Sequence, residues 1–117
     1  PRTSRTAWPA AWTGRHTAAF DADRLALPLT VRSRRDGDRL QPFGMAGSKK
    51  VSRLLMDLKI DPDRRDAVPV VTDAAGRLLW LAGVRRSRHA PVDGGTKRAL
   101  VLRFEPERFS DGNRMDG

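Results

Sequence analysis

VRSRRDGDRLQPFGMAGSKKVSRLLMDLKIDPDRRDAVP, residues 31–69, runs from a basic strand through a Gly/Pro loop into a short amphipathic helix, then out through an Arg-rich turn. Alternation over Leu29 to Arg34 puts Leu29, Val31 and Ser33 on one side and Thr30, Arg32 and Arg34 on the other, so the arginine side is expected to face solvent or a ligand. Asp36-Gly37 is a hairpin-type turn signal. Asp36 and Asp38 are read as turn-forming, arginine-pairing carboxylates rather than a catalytic pair, with Asp38 orienting Arg39. Gln41 to Gly47 is a loop in which Pro42 fixes φ while Gly44 and Gly47 permit tight turns. Ser48 suits the N-cap of a helix predicted over about Lys49 to Lys59. Val51, Leu54, Leu55 and Leu58 fall at helical spacing and predict one buried stripe, with Lys49, Arg53 and Met56 opposite.

Outward from this stretch, Thr17 to Phe20 reads as a short strand and Asp21-Ala22-Asp23 as a turn. Downstream, the β-branched run Pro69 to Thr72 and the segment Leu78 to Ala82 flank Asp73-Ala74-Ala75-Gly76, which predicts a β-hairpin. Gly83 to Arg86 is a basic edge, and Lys97 to Phe104 alternates as a last strand after the Gly/Pro loop His89 to Thr96. The fold class expected is α+β: a small mixed or antiparallel sheet of about five short strands, with one main amphipathic helix packed on it. We divide the chain into a linker or remnant of a preceding domain (1–16), a domain (17–105) and a flexible tail (106–117).

A chain of 117 residues is long enough for one modest core. It has no Cys, so disulfides and thiolate metal sites are excluded. No apolar run reaches membrane-spanning length and no signal peptide opens the chain, so a soluble cytoplasmic protein without a membrane partner is expected. Pro1 in place of Met suggests a piece of a longer protein. The net charge of +9 favours a polyanionic partner, nucleic acid first. That excess concentrates between Arg32 and Arg65, where ten Lys/Arg face five Asp. Solubility alone is the plain alternative.

The loop Gly44 to Lys50 is the most suggestive local feature. Glycines leading into a helix N-terminus leave N–H groups for an anion, and two Lys in the first turn are unfavourable to the helix dipole unless an anion arrives. Gly44, Gly47 and Ser48 would supply the backbone of such a phosphate loop. The P-loop pattern is absent, His16 and His89 are isolated, and the four Phe form no aromatic RNA-stacking motif. Nothing in the chain looks catalytic.

Within this stretch Gly37-Asp38-Arg39, Pro42, Gly44, Gly47, Lys49-Lys50, Lys59-Ile60, Arg65 and Pro69 together resemble the C-terminal domain of tRNA(Ile)-lysidine synthetases. Trp80 with Gly83-Val84-Arg85 resembles that family's later strand, and Phe20 to Asp23 its entry, so the resemblance spans about residues 17–88. Leu54 and Leu55 depart from it where many members carry aromatics, and Asp61 where Pro usually follows Lys-Ile.

The resemblance implies a non-catalytic module that grips the acceptor stem of an isoleucine tRNA. The parent would be a ligase whose N-terminal catalytic domain converts the wobble cytidine to lysidine. ATP and magnesium are expected for that missing domain, with no cofactor in this chain, whose sequence lacks the family's S-G-G-x-D-S loop. On this reading Arg34, Arg35, Arg39, Lys49, Lys50, Arg53 and Arg65 contact phosphates, with Arg85 and Arg86 secondary, because A-form stems are read by shape and backbone. A second reading makes the domain structural: it would form a homodimer or brace the catalytic domain, its charge serving solubility.

Overall fold

A computed structural model describes residues 16–105. Its elements are β1 (Thr17–Asp21), a 3₁₀ turn (Ala22–Arg24), β2 (Thr30–Arg32), β3 (Arg39–Leu40), β4 (Lys49–Lys50), α1 (Val51–Asp57), α2 (Pro62–Arg65), β5 (Val70–Thr72), β6 (Leu78–Leu81), β7 (Arg85–Arg86) and β8 (Ala99–Arg103). The class is α+β with one main helix, as the sequence predicts. The strands differ in number and grouping: eight short ones form three antiparallel sheets, β1–β8, β2–β5–β6–β7 and β3–β4. Two- and three-residue strands such as β3, β4 and β7 carry too little alternation to be read from sequence.

The hairpin β5–β6 is the centre of the domain because it is buried on both faces. Val71 and Trp80 pair across it and join Phe20, Leu79 and Ala18 in one core; Val70 and Leu81 pair beside them and join Leu40, Val51, Leu54 and Leu55 in a second. Two-faced burial explains why both strands are continuous apolar runs rather than alternating ones. The turn Asp73 to Gly76 closes this hairpin, with Gly76 at φ +87° and its N–H donating to the Asp73 carbonyl at 2.9 Å.

Helix α1 docks on the second core through Val51, Leu54 and Leu55. Leu58, expected on that stripe, is 40% exposed, because the helix ends before it. Lys59 takes φ +60°, its N–H donates to the Met56 carbonyl, and the Ile60 N–H reaches back to Leu55. This is a Schellman stop, and it turns Ile60 into the second core.

Two further expectations are corrected. Asp36-Gly37 does turn the chain, with Gly37 at φ +89°, but the turn joins β2 to β3 without pairing them, since β2 pairs with β5. The faces of β2 are also inverted: Val31 is 67% exposed while the Arg32 side chain is 18% exposed. Arg32 is drawn inward by Asp38, whose two carboxylate oxygens accept from Nη1 and Nη2 at 3.0 and 2.9 Å. Asp38 therefore orients Arg32, not Arg39.

That pairing has a consequence for acid stability. The hydrogen bonds from Arg32 hold the Asp38 carboxyl below its ordinary range. Burial alone would raise Asp73, but the side-chain and backbone bonds from Arg77 outweigh it and the net direction is down. A carboxyl depressed in the folded state binds fewer protons than the unfolded chain, so its stabilisation is complete above about pH 4 and lost as pH falls through the folded value. We expect a small decline of the thermal midpoint below about pH 6.5, because burial lowers the His89 pKa in the fold, and a steeper fall below about pH 4 from the two carboxylates. Asp38→Asn should flatten that fall, and an unchanged acid limb in this variant would contradict the assignment.

Candidate nucleic-acid interface

The hairpin β3–β4 carries paired basic residues of the basic stretch. Its register sets Arg39 opposite Lys50 and Leu40 opposite Lys49. Leu40 is fully buried, so Arg39 and Lys50 share the outward face, and both are exposed. Like charges directly opposite one another are destabilising in a sheet. Arg39 is held there by the loop it faces: its Nε donates to Ser48 Oγ at 2.9 Å and its Nη2 to the Ser48 carbonyl at 3.3 Å.

The helix start expected at Lys49 lies two residues further on. Lys49 and Lys50 lie in a strand, and α1 begins at Val51 with Lys50 as its N-cap. Ser48 supports Arg39 rather than capping the helix, and the Val51 N–H donates to the Asp38 carbonyl at 2.9 Å. The reason lies in packing. A strand up to Lys50 delivers Val51 into the second core and keeps both Lys out of it. Gly44 and Gly47 serve the loop by adopting φ +81° and +75°.

The other expected contacts divide into outward and committed groups. Arg35 is exposed, at the head of the turn whose Asp38 carboxylate accepts its backbone N–H at 2.8 Å. Lys49 and Arg53 share one carboxylate, Asp57, at 3.3 and 3.5 Å, leaving this flank net positive. Arg85 lies against the loop, its Nη1 3.9 Å from Met45 Sδ. Arg34 pairs with Asp66 at 3.1 Å while its Nε is buried without a hydrogen-bond partner among the described residues. Arg65 turns back to the Ile60 carbonyl at 2.9 Å.

Arg86 is committed inside the fold. Its guanidinium donates to the carbonyls of Ser87, Ala19 and His89 and lies 4.2 Å from the Phe20 ring centroid. Burial pushes its pKa down to about 10. This cation is an internal fastener.

Sequence reasoning missed Phe43 and Met45, which are 53% and 46% exposed on the loop joining β3 to β4. The signal was available: two large apolar residues flanking a glycine between two basic strands. The absence of a larger aromatic pattern hid it. Arg32 is likewise hard to place, because strand alternation does not say which side is inner when that side carries a paired arginine.

The sequence pattern of the TilS substrate C-terminal domain matches residues 29–103. A tRNA(Ile)-lysidine synthase of Symbiobacterium thermophilum is 46% identical over 90 residues, 75% of this chain and 18% of the relative. The bifunctional protein TilS/HprT of Listeria monocytogenes is 40% identical over 85 residues, 73% of this chain and 13% of the relative. This chain thus spans less than a fifth of either of these two relatives. A crystal structure of a TilS C-terminal domain superposes with a TM-score of 0.75 at 34% identity, covering 86% of this chain and 78% of that one. The chain belongs to the family of TilS substrate C-terminal domains, the C-terminal domain of tRNA(Ile)-lysidine synthases.

Proposed function

We propose that this domain grips the acceptor stem of an isoleucine tRNA through the outward face of β3–β4 and the adjoining flank of α1. The observation that carries this reading is the exposed Arg39–Lys50 pair, two cations set opposite one another in the strand register with no carboxylate bonded to either among the described residues. An anion bridging them removes the repulsion, and phosphates along an RNA stem supply anions at regular spacing. Arg35, Lys49 and Arg53 extend the surface, Arg85 flanks it, and Arg34 and Arg65 shape its edge. The name of the Symbiobacterium relative supports the choice of tRNA. In the parent protein, a catalytic domain using ATP and magnesium would act on the wobble cytidine while this domain holds the far end of the molecule.

The test is a salt titration of binding to an isoleucine tRNA. Each phosphate contact adds roughly 0.7–0.9 to the log–log salt slope, so Arg39→Ala with Lys50→Ala should reduce the slope by about 1.5 and weaken binding about tenfold. A control pair of equal charge, Lys97→Ala with Arg103→Ala near the β1–β8 sheet, should leave the slope unchanged. If both double variants lose affinity equally, the charge is generic and the domain is a scaffold for its catalytic partner.

A further inference from the structure

Half-exposed Phe43 stands on a turn built to display it. The Met45 N–H donates to the Pro42 carbonyl at 3.2 Å, and Gly44 supplies the left-handed φ of +81° that the third position of a type II turn requires. The loop is fastened to the body on one side: the Phe43 N–H donates to the Arg86 carbonyl, the Arg88 N–H to the Gln41 carbonyl, and Pro42 bridges Ser87. The Arg86 guanidinium lies over the Phe43 ring 5.3 Å from its centroid, while the residue stays 53% exposed. Met45 extends this apolar tip beside Arg85. An aromatic ring fixed in advance and left in water loses little conformational freedom on binding. Cations on the same hairpin, Arg39 and Lys50, argue that its partner is anionic as well as flat.

We infer that Phe43, with Met45 beside it, is a stacking platform for an unpaired nucleobase next to the RNA stem whose phosphates meet Arg39 and Lys50. This deepens the tRNA-binding reading and rests on it. Stacking needs a π-face and no particular base edge, so the platform would read the presence of an unstacked base rather than its identity.

The experiment compares two RNA hairpins of identical stem, one blunt and one with a single unpaired 3′ nucleotide, titrated against the full chain. Base–aromatic stacking of the usual strength predicts about a tenfold preference for the overhang. Phe43→Leu should abolish the preference and leave the salt slope untouched, with the circular dichroism spectrum reporting an intact fold; Phe43→Trp should keep it. Arg39→Ala with Lys50→Ala should instead weaken both hairpins alike. A preference that survives Phe43→Leu, or stem binding by the unaltered chain with no preference at all, overturns the platform while sparing the phosphate surface. Failure of the unaltered chain to bind either hairpin overturns both.

Discussion

Asp73→Asn is expected to cost about 2–3 kcal/mol of stability, although the side chain keeps its size. The Asp73 carboxylate is fully buried and accepts five hydrogen bonds. One oxygen takes the backbone N–H groups of Ala75 and Arg77, organising the β5–β6 turn from within. The other takes Nε and Nη2 of Arg77 at 2.9 and 2.7 Å, and the Ala26 N–H at 3.4 Å. Arg77 also donates to the Arg24 carbonyl, so this single carboxylate ties the segment after β1 to the central hairpin. An amide can replace the first oxygen. In place of the second it points N–H groups at donors, leaving the guanidinium unpaired. Arg77 is 37% exposed and recovers part of the loss by hydration, which keeps the figure below that of a fully buried pair. For a domain of this size the thermal midpoint should fall by about 10–20 °C. A shift under about 2 °C would show that the turn holds without the carboxylate.

The same residue illustrates what sequence can and cannot convey. The Asp73 to Gly76 turn and the β5–β6 hairpin are legible because they are local: turn residues between two apolar runs admit one short connection. The leucines of α1 are legible for the same reason, and the helix end is marked by Lys59-Ile60 once the Schellman geometry is known. The partners of β2 are not local. Its pairing with β5, across about forty residues, rests on Thr30 to Arg32 matching Thr72 to Val70, which no periodicity in either segment announces.

The basic residues were the least legible. Lys, Arg and their alternation look alike whether a side chain meets water, a carboxylate or a cage of carbonyls. Arg39, Lys50 and Arg35 came out exposed; Arg32 turned inward because Asp38 lies within reach. Ser48 and the glycines point to a helix start at Lys49. It was displaced by the two-residue ladder with β3, a contact too short to leave a pattern.

Arg86→Met should be among the most damaging substitutions in a chain this basic, although it reduces the net positive charge. Methionine retains the length and apolar body of the side chain but can serve none of the carbonyls of Ala19, Ser87 and His89. Those three acceptors lie on β1, on the residue after β7 and in the following loop, so the planar guanidinium is one of the links between the β1–β8 sheet and the central one. It is also clasped against Phe20, which is fully buried, and beneath Phe43. Losing several partly buried charge-assisted bonds together costs about 3 kcal/mol, even with the methionine body filling the space. Arg86→Lys should not rescue it, since an ammonium lacks the flat fork that reaches three carbonyls while stacking on a ring. Denaturant unfolding measures this directly: a lowered midpoint with an unchanged m-value means lost stability. The variant also separates the two roles open to a basic residue here. Under conditions where Arg86→Met remains folded, its salt slope for tRNA should equal that of the unaltered chain, because this cation meets no phosphate. A slope reduced by about one contact, with stability unchanged, would reverse the assignment and return Arg86 to the surface.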